Sequence, residues 1–72
     1  MRNKLIVSNL PFHITEEDLI ELFEEFGVEA VTLTEHYAVV VFSTESGAFN
    51  ALEEWNCAER WGRLLRVKWA KW

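Results

Sequence analysis

Apolar and polar residues alternate with a period of two in several short stretches of the chain. Leu5 and Val7 alternate with Ile6 and Ser8, and a run rich in β-branched residues extends from 37 to 42. Successive side chains of a strand point to opposite faces, so this pattern is typical of half-buried strands. It predicts strands at roughly residues 4–9, 30–34, 37–42 and 65–70.

Two segments between these strands carry the period of amphipathic helices instead. Apolar residues fall at i, i+3, i+4 and i+7 in each segment. They are Leu19, Leu22, Phe23 and Phe26 in the first, and Ala48, Ala51, Leu52 and Trp55 in the second. Thr15 and Asp18 form a variant of the capping box before the first helix, which Gly27 ends. Thr44 caps the second helix.

The order of these elements along the chain is βαββαβ. No linker or internal repeat interrupts it. Only a two- or three-residue turn around Glu35 and His36 separates the middle strands, so they pair as an antiparallel hairpin. This order is typical of the split βαβ, or ferredoxin-like, α+β fold. We expect one domain over residues 1–72, with both helices on one face of a four-stranded sheet.

Alternation assigns each strand residue to one of the two faces of that sheet. The residues predicted to face the helices are Leu5, Val7, Ala38, Val40, Phe42, Leu65, Val67 and Trp69. The residues predicted on the open face are Lys4, Ile6, Ser8, Thr32, Tyr37, Val39, Val41, Arg66 and Lys68.

Composition restricts the class of protein. A chain of 72 residues buries about 60% of its unfolded surface and has one small core. No apolar run approaches the ~20 residues of a membrane helix, so no membrane association is expected. The lone Cys57 forms no internal disulfide, and the N-terminus lacks the pattern of a signal peptide. We therefore expect an intracellular protein of the nucleus or cytoplasm.

The net charge of -5 conceals an uneven distribution of charge. Residues 60–72 hold only basic charges, from Arg60, Arg63, Arg66, Lys68 and Lys71. Residues 16–25 hold only acidic ones, from Glu16, Glu17, Asp18, Glu21, Glu24 and Glu25. An ordinary solvated face accounts for the acidic segment. The basic segment fits a solvated face and a polyanion-binding site equally well.

Two of the strands resemble the signature strands of the RNA recognition motif (RRM) family. The first strand of that family reads aliphatic, aromatic, aliphatic, any, Asn, Leu, and residues 5–10 match it except at Ile6. The third strand carries a second signature of basic, Gly, aromatic, small, aromatic, aliphatic, any, aromatic. Residues 35–42 fill it with departures at Glu35, His36 and Val39. The resemblance spans residues 4–70 and implies the strand order 4-1-3-2.

Members of this family stack bases of single-stranded RNA on aromatic rings of the open face. The resemblance places those rings at Ile6, Tyr37 and Val39, of which only Tyr37 is aromatic. Weak RNA binding is therefore expected. The residues implied in contact with RNA are Tyr37, Arg66, Lys68, Lys4, Ile6, Val39, Ser8, Lys71 and Trp72. Charges on an edge strand also discourage edge-to-edge pairing, which is the alternative role of the basic residues.

The rival function is a protein-binding RRM. Ile6, Val39 and Val41 form an apolar strip on the open face, and such patches often mark partner sites. Ile20 and Phe49 lie outside the core positions of their helices and offer a second surface. One RRM subclass binds tryptophan-containing peptides through an Arg-any-Phe signature. Residues 60–62 occupy that region without the Phe, which argues against this subclass.

No set of residues indicates catalysis or metal binding. His13, His36 and Cys57 match no zinc-ligand spacing. The chain lacks a nucleophile, base and acid set and a glycine-rich phosphate loop, so neither an enzyme nor a cofactor is expected.

Overall fold

The computed structural model describes residues 2–71, and its main sheet has four antiparallel strands in the order β2-β3-β1-β6. The elements are β1 (Lys4–Ser8), α1 (Glu16–Phe23), a 3₁₀ turn (Glu24–Phe26), β2 (Val28–Leu33), β3 (Tyr37–Phe42), α2 (Glu45–Trp55), β4 (Glu59–Arg60), β5 (Arg63–Leu64) and β6 (Arg66–Trp69). Because β6 is the fourth strand of the predicted set, this order confirms the ferredoxin-like fold and the order 4-1-3-2.

The ends of α1 follow from local sequence. The Thr15 hydroxyl accepts from the Asp18 amide at 3.2 Å, and the Thr15 amide donates to the Asp18 carboxylate at 3.1 Å. This capping box confirms the predicted start of the helix. Gly27 adopts a left-handed conformation (φ 83°), which ends the 3₁₀ turn after α1. No helix in residues 2–71 is long and apolar enough to cross a membrane.

The core lies between the helices and one face of the sheet. Its buried residues are Leu5, Val7, Leu19, Leu22, Phe23, Ala38, Val40, Phe42, Ala48, Ala51, Leu65 and Val67. The predicted core positions on the strands are confirmed, with one exception. Trp69 packs against the core but is only half-buried, because it ends the edge strand β6 and lines an open cleft. The Arg2 guanidinium carbon lies 4.8 Å from its ring centroid. Trp55 is half-buried too.

The segment between α2 and β6 contains the small hairpin β4–β5. Glu59 pairs with Leu64 and Arg60 with Arg63, which leaves a two-residue connection. Both connecting residues have positive φ, 56° at Trp61 and 75° at Gly62, as the tight I′ type of hairpin turn requires. This hairpin precedes β6 directly and so places the start of that strand.

Candidate nucleic-acid interface

The open face of the sheet carries the predicted residues in regular rows across the strands. Ser8 pairs with Tyr37 of β3 on one side and with Arg66 of β6 on the other. In the next row, Ile6 pairs with Val39 and Lys68. The register therefore brings the single aromatic residue and the basic residues of the strands onto one surface, opposite the helices.

Three positive charges occupy one side of this face. Arg66 and Lys68 are exposed, and Lys4 is half-buried one row beyond Ile6. Arg66 and Lys68 are alternate residues of one strand, so their Cα atoms lie about 6.6 Å apart. Within the described residues, none of the three forms an ion pair. Uncompensated cations on an exposed sheet suit the phosphates of a nucleic acid.

The middle of the face is apolar. Ile6, Val39 and Val41 are half-buried, and Ile6 lies directly beside Val39 across the β1–β3 ladder. Tyr37 is half-buried at the start of β3. Among residues 2–71, the face thus has one ring able to stack on a base and an aliphatic strip beside it. The same strip suits the protein-binding alternative.

Two of the residues predicted to contact RNA, Lys71 and Trp72, lie at the C-terminus. Lys71 is exposed just beyond β6. Trp72 lies outside the described residues.

The β2–β3 turn fixes the backbone at Tyr37. The Tyr37 carbonyl accepts from the Thr34 amide and from the Thr34 hydroxyl, both at 2.8 Å. The Tyr37 amide donates to the same hydroxyl at 3.2 Å. His36 does not adopt positive φ, so the turn accommodates a side chain where the family has Gly. The exposed Glu35 carboxylate lies 3.5 Å from Nε2 of His36.

A pocket beside Tyr37 was not predicted from the sequence. This loop pocket has a volume of about 170 Å³ and lies between the β1–α1 loop and the β2–β3 turn. Its lining residues are Leu10, Pro11, Phe12, Ile14, Leu33, Thr34, Glu35, His36 and Tyr37. Phe12 is 100% exposed. The available signal was an aromatic residue next to Pro11 that belongs to neither the strand nor the helix period.

A second feature missed from the sequence links β1 to the small hairpin. Asn9 adopts a left-handed conformation (φ 62°), and its side-chain Nδ2 donates to the Leu64 carbonyl at 2.6 Å. Arg63 donates to the Asn9 side-chain oxygen at 3.1 Å and to its carbonyl at 3.2 Å. Arg63 is therefore engaged by the fold, in contrast to Arg66 and Lys68.

The helical side offers a smaller surface. Ile20 is 42% exposed and Phe49 51% exposed, as the helix periods predict. Phe49 lines an open cleft with Arg2 and Trp69, of which Ile20 is not a part. Among residues 2–71 there is no group of three or more potential metal ligands.

Known proteins share this architecture over nearly the whole chain. The chain is 34% identical to Multiple RNA-binding domain-containing protein 1 of Eremothecium gossypii over 94% of its own length and 9% of that protein. It is 31% identical to the RNA-binding protein PG1, with a TM-score of 0.87 and coverage of 96% and 94% of the two chains. The Nab3 RRM shares the fold with a TM-score of 0.90 at 20% identity, over 99% and 97% of the chains.

The chain spans less than a tenth of the curated relative's length, so the comparison concerns one domain of that protein. A profile of the family described as RNA recognition motif matches residues 5–66. These limits include β2, β3, both helices and all of β1 except Lys4, together with the first residue of β6. The chain belongs to the RNA recognition motif family.

Proposed function

We propose that this domain binds single-stranded RNA on its open face, with Tyr37 stacking on a base and Lys4, Arg66 and Lys68 contacting phosphates. The observation that carries the proposal is the register that places Tyr37 and Arg66 on either side of Ser8. Family membership and the RNA-binding names of the relatives in Eremothecium gossypii and in the PG1 structure support it. Ser8, Ile6, Val39, Lys71 and Trp72 complete the proposed contact surface.

The proposed affinity is low. Stacking of one base on an aromatic ring contributes about 1–3 kcal/mol. Aliphatic residues at the two other platform positions, Ile6 and Val39, then make the binding free energy less favourable by roughly 2–6 kcal/mol. This difference corresponds to a loss of affinity of about 30-fold to more than 10,000-fold. Glu35, where the family has a basic residue, adds repulsion toward phosphate.

A chemical-shift titration with mixed short RNA oligomers tests the proposal. We expect the amide resonances of Tyr37, Ile6 and Arg66 to shift, since these residues lie on neighbouring strands of one face. The helical side provides the internal control, because Phe49 lies on the opposite side of the sheet from Tyr37. The proposal is contradicted if no oligomer shifts the amide resonances of residues on the open face.

The second candidate is a protein partner on the same face. Its support is the contiguous strip of Ile6, Val39 and Val41, which remains partly exposed in the structure. In the same titration, line broadening at these residues without RNA, increasing with protein concentration, indicates self-association through the strip. The exposed Ile20 and Phe49 are the corresponding candidates on the helical side.

We further propose that residues 1–72 act as one binding domain, without catalytic activity, within a longer protein of the nucleus or cytoplasm. The support is the relative in Eremothecium gossypii, of which this chain covers 9%. Weak binding by one domain suits such an arrangement, because linked domains raise the overall affinity through a high effective concentration.

A further inference from the structure

The strand β2 lies at one edge of the main sheet, with β3 as its single neighbour among the described residues. Successive residues of an antiparallel edge strand turn their backbone N–H and C=O groups alternately toward the neighbour and away from it. The Thr34 amide donates to β3 at the turn, so alternation directs the backbone groups of Val31 and Leu33 outward. The backbone groups of Ala30 and Thr32 face β3. The outer side of β2 therefore offers a row of backbone donors and acceptors.

The opposite edge of the sheet, β6, is closed by the chain itself. The Val67 amide donates to Oδ1 of Asn56 at 3.2 Å. Just before β6, the Leu65 carbonyl accepts from the Cys57 amide at 2.9 Å, and the Leu65 amide donates to the Ala58 carbonyl at 2.8 Å. The segment between α2 and β4 thus covers the start of this edge. In the part of the chain that the structure describes, β2 is the edge without such a cover.

The side chains of β2 also leave its edge accessible. Proteins commonly block an edge strand with Lys, with Pro or with a bulge. β2 contains neither Lys nor Pro, and Ala30 and Thr32 are small and exposed. Its one irregularity lies between Val28 and Ala30, at the start of the strand. Residues 30–33 are therefore regular and open to a further strand.

The surroundings of β2 are acidic. Residues 5–59 contain no Lys or Arg, since all seven of these residues lie in 2–4 and 60–71. Glu29 is exposed on β2, and α1 packs beside this strand. Acidic residues occur on both sides of the buried positions of α1 and in the turn after it, namely Glu16, Glu17, Asp18, Glu21, Glu24 and Glu25. No Lys or Arg within residues 2–71 forms an ion pair with them. A positively charged ligand suits this edge.

We propose that the β2 edge binds an extended, basic segment of another protein, which joins the main sheet as a fifth strand. The backbone groups of Val31 and Leu33 supply the hydrogen bonds, as in other cases of strand addition. The carboxylates of Glu29 and of α1 select a basic sequence. The open face stays uncovered, so this site is separate from the proposed RNA-binding surface and does not depend on it.

Charge distinguishes the basic segment from the other occupants of such an edge. A second copy that pairs through its own β2 would bring two acidic α1 helices together, each on a chain with a net charge of -5. Like charges in that position oppose association. RNA is repelled for the same reason.

Solvent exchange of backbone amides, measured by NMR with the peptide KVKVTVKVK, tests the site. A peptide bound as a strand accepts from the Val31 and Leu33 amides. At nine times its Kd, it should slow the exchange of both by about tenfold. The amides of Ala30 and Thr32 already face β3 and are the internal reference. The control peptide KVKPPVKVK has the same charge but lacks two adjacent backbone donors, and should slow neither amide.

Variants of exposed residues test the contribution of charge. Glu29→Gln should weaken binding of KVKVTVKVK by roughly 1.4- to 5-fold, because one surface charge pair is lost. Glu53→Gln, exposed on α2, makes the same change in net charge and should leave the affinity unchanged. Thr32→Lys adds an edge lysine that repels the peptide, and should weaken binding at least as much as Glu29→Gln.

Three outcomes would overturn the inference. Binding that shifts resonances of α1 without slowing exchange at Val31 and Leu33, or equal binding of KVKPPVKVK, identifies attraction by charge alone. Slow exchange at these two amides that develops with protein concentration, in the absence of peptide, identifies a second copy as the occupant. Failure of KVKVTVKVK to bind excludes the site. None of these results bears on RNA binding by the open face, which the RNA titration tests.

Discussion

Tyr37 and Arg66 stand in one row of the sheet, on opposite sides of Ser8 and two strands apart. Adjacent strands are separated by about 4.8 Å, so the Cα atoms of the two residues lie about 10 Å from each other. A ligand that contacts both must run across the strands. The positions of the proposed stacking ring and of the proposed phosphate-binding charges are therefore set by β-sheet register, and their roles can be tested one at a time.

The first prediction concerns the dependence of RNA affinity on salt. If Lys4, Arg66 and Lys68 each neutralise one phosphate, log affinity should fall against log salt with a slope of about -2 for a single strand. A fourth contact, from Lys71 beyond β6, steepens it to about -2.8, and five contacts in all would give about -3.5. Arg66→Ala and Lys68→Ala should each flatten the slope by about 0.7. Anisotropy titrations at several salt concentrations measure it.

Arg60→Ala is the matched control for these variants. It removes an equal charge from the β4–β5 hairpin, outside the main sheet, where the Arg60 guanidinium carbon lies 5.3 Å from the Trp61 ring centroid. Its slope should equal that of the unaltered protein. If neither Arg66→Ala nor Lys68→Ala changes the slope, these residues do not contact phosphates. Their role is then to discourage edge-to-edge pairing of the sheet.

The second prediction concerns the missing stacking rings. Val39→Phe and Ile6→Tyr should each raise RNA affinity, by up to about 1–3 kcal/mol, if RNA follows the path usual in the family. Both positions are half-buried on the open face, and the fold should tolerate each change within about 1 kcal/mol. Because the two residues are direct cross-strand neighbours, the double variant should deviate from additivity. Isothermal titration calorimetry with a short RNA measures the affinity of the two single variants and of the double variant.

Glu35→Lys extends this test to the turn. It should raise overall affinity by reversing the charge near the phosphates. Unchanged RNA binding in folded ring variants would show that RNA does not use this face. Simultaneous loss of self-association would assign Ile6, Val39 and Val41 to a protein contact.

The sequence alone predicted the main sheet and both helices because their signals are local and periodic. Alternation at Leu5 and Val7, and the cap at Thr15, each need only a few neighbouring residues. Trp69 faces the core as predicted but is only half-buried, because alternation gives the face of a residue but not how far the neighbouring element covers it.

The loop features were not predictable in the same way. Trp61 takes positive φ, a conformation that bulky residues rarely adopt, so nothing in its type indicated the β4–β5 turn. The loop pocket joins two segments, 10–14 and 33–37, that are separated by eighteen residues along the chain. Phe12 becomes a candidate contact only because sheet register brings its loop beside Tyr37.

The third prediction concerns the packing of α2 against the end of α1. A Cβ at Gly47 would lie well inside contact distance of the Phe26 carbonyl oxygen, which is backbone and cannot rotate away. Gly47→Ala should therefore destabilise the fold by about 1–3 kcal/mol, although Ala is the better helix former. Urea unfolding followed by tryptophan fluorescence measures the change. Ser46→Ala, at the exposed neighbouring position, should stay within about 0.5 kcal/mol of the unaltered protein.

The fourth prediction concerns Asn9, which ties the end of β1 to the β4–β5 hairpin. Asn9→Gly removes the side-chain bonds to Leu64 and Arg63 but tolerates a φ of 62°, and should cost about 1–2 kcal/mol. Asn9→Ala removes the same bonds and adds about 1 kcal/mol for a left-handed residue with a Cβ. Urea unfolding should rank stability as Asn, then Gly, then Ala. Asn50→Ala, exposed on α2, is the control.

Equal stability of the Gly and Ala variants would show that Asn9 does not keep its left-handed conformation in solution. The salt slope of RNA binding supplies an independent readout of Arg63, which Asn9 holds. Because that arginine is engaged by the fold, Asn9→Gly should lower stability without changing the slope. A steeper slope would instead mean that Arg63, once released, reaches a phosphate, and that Asn9 restrains a fourth cation beside Lys4, Arg66 and Lys68.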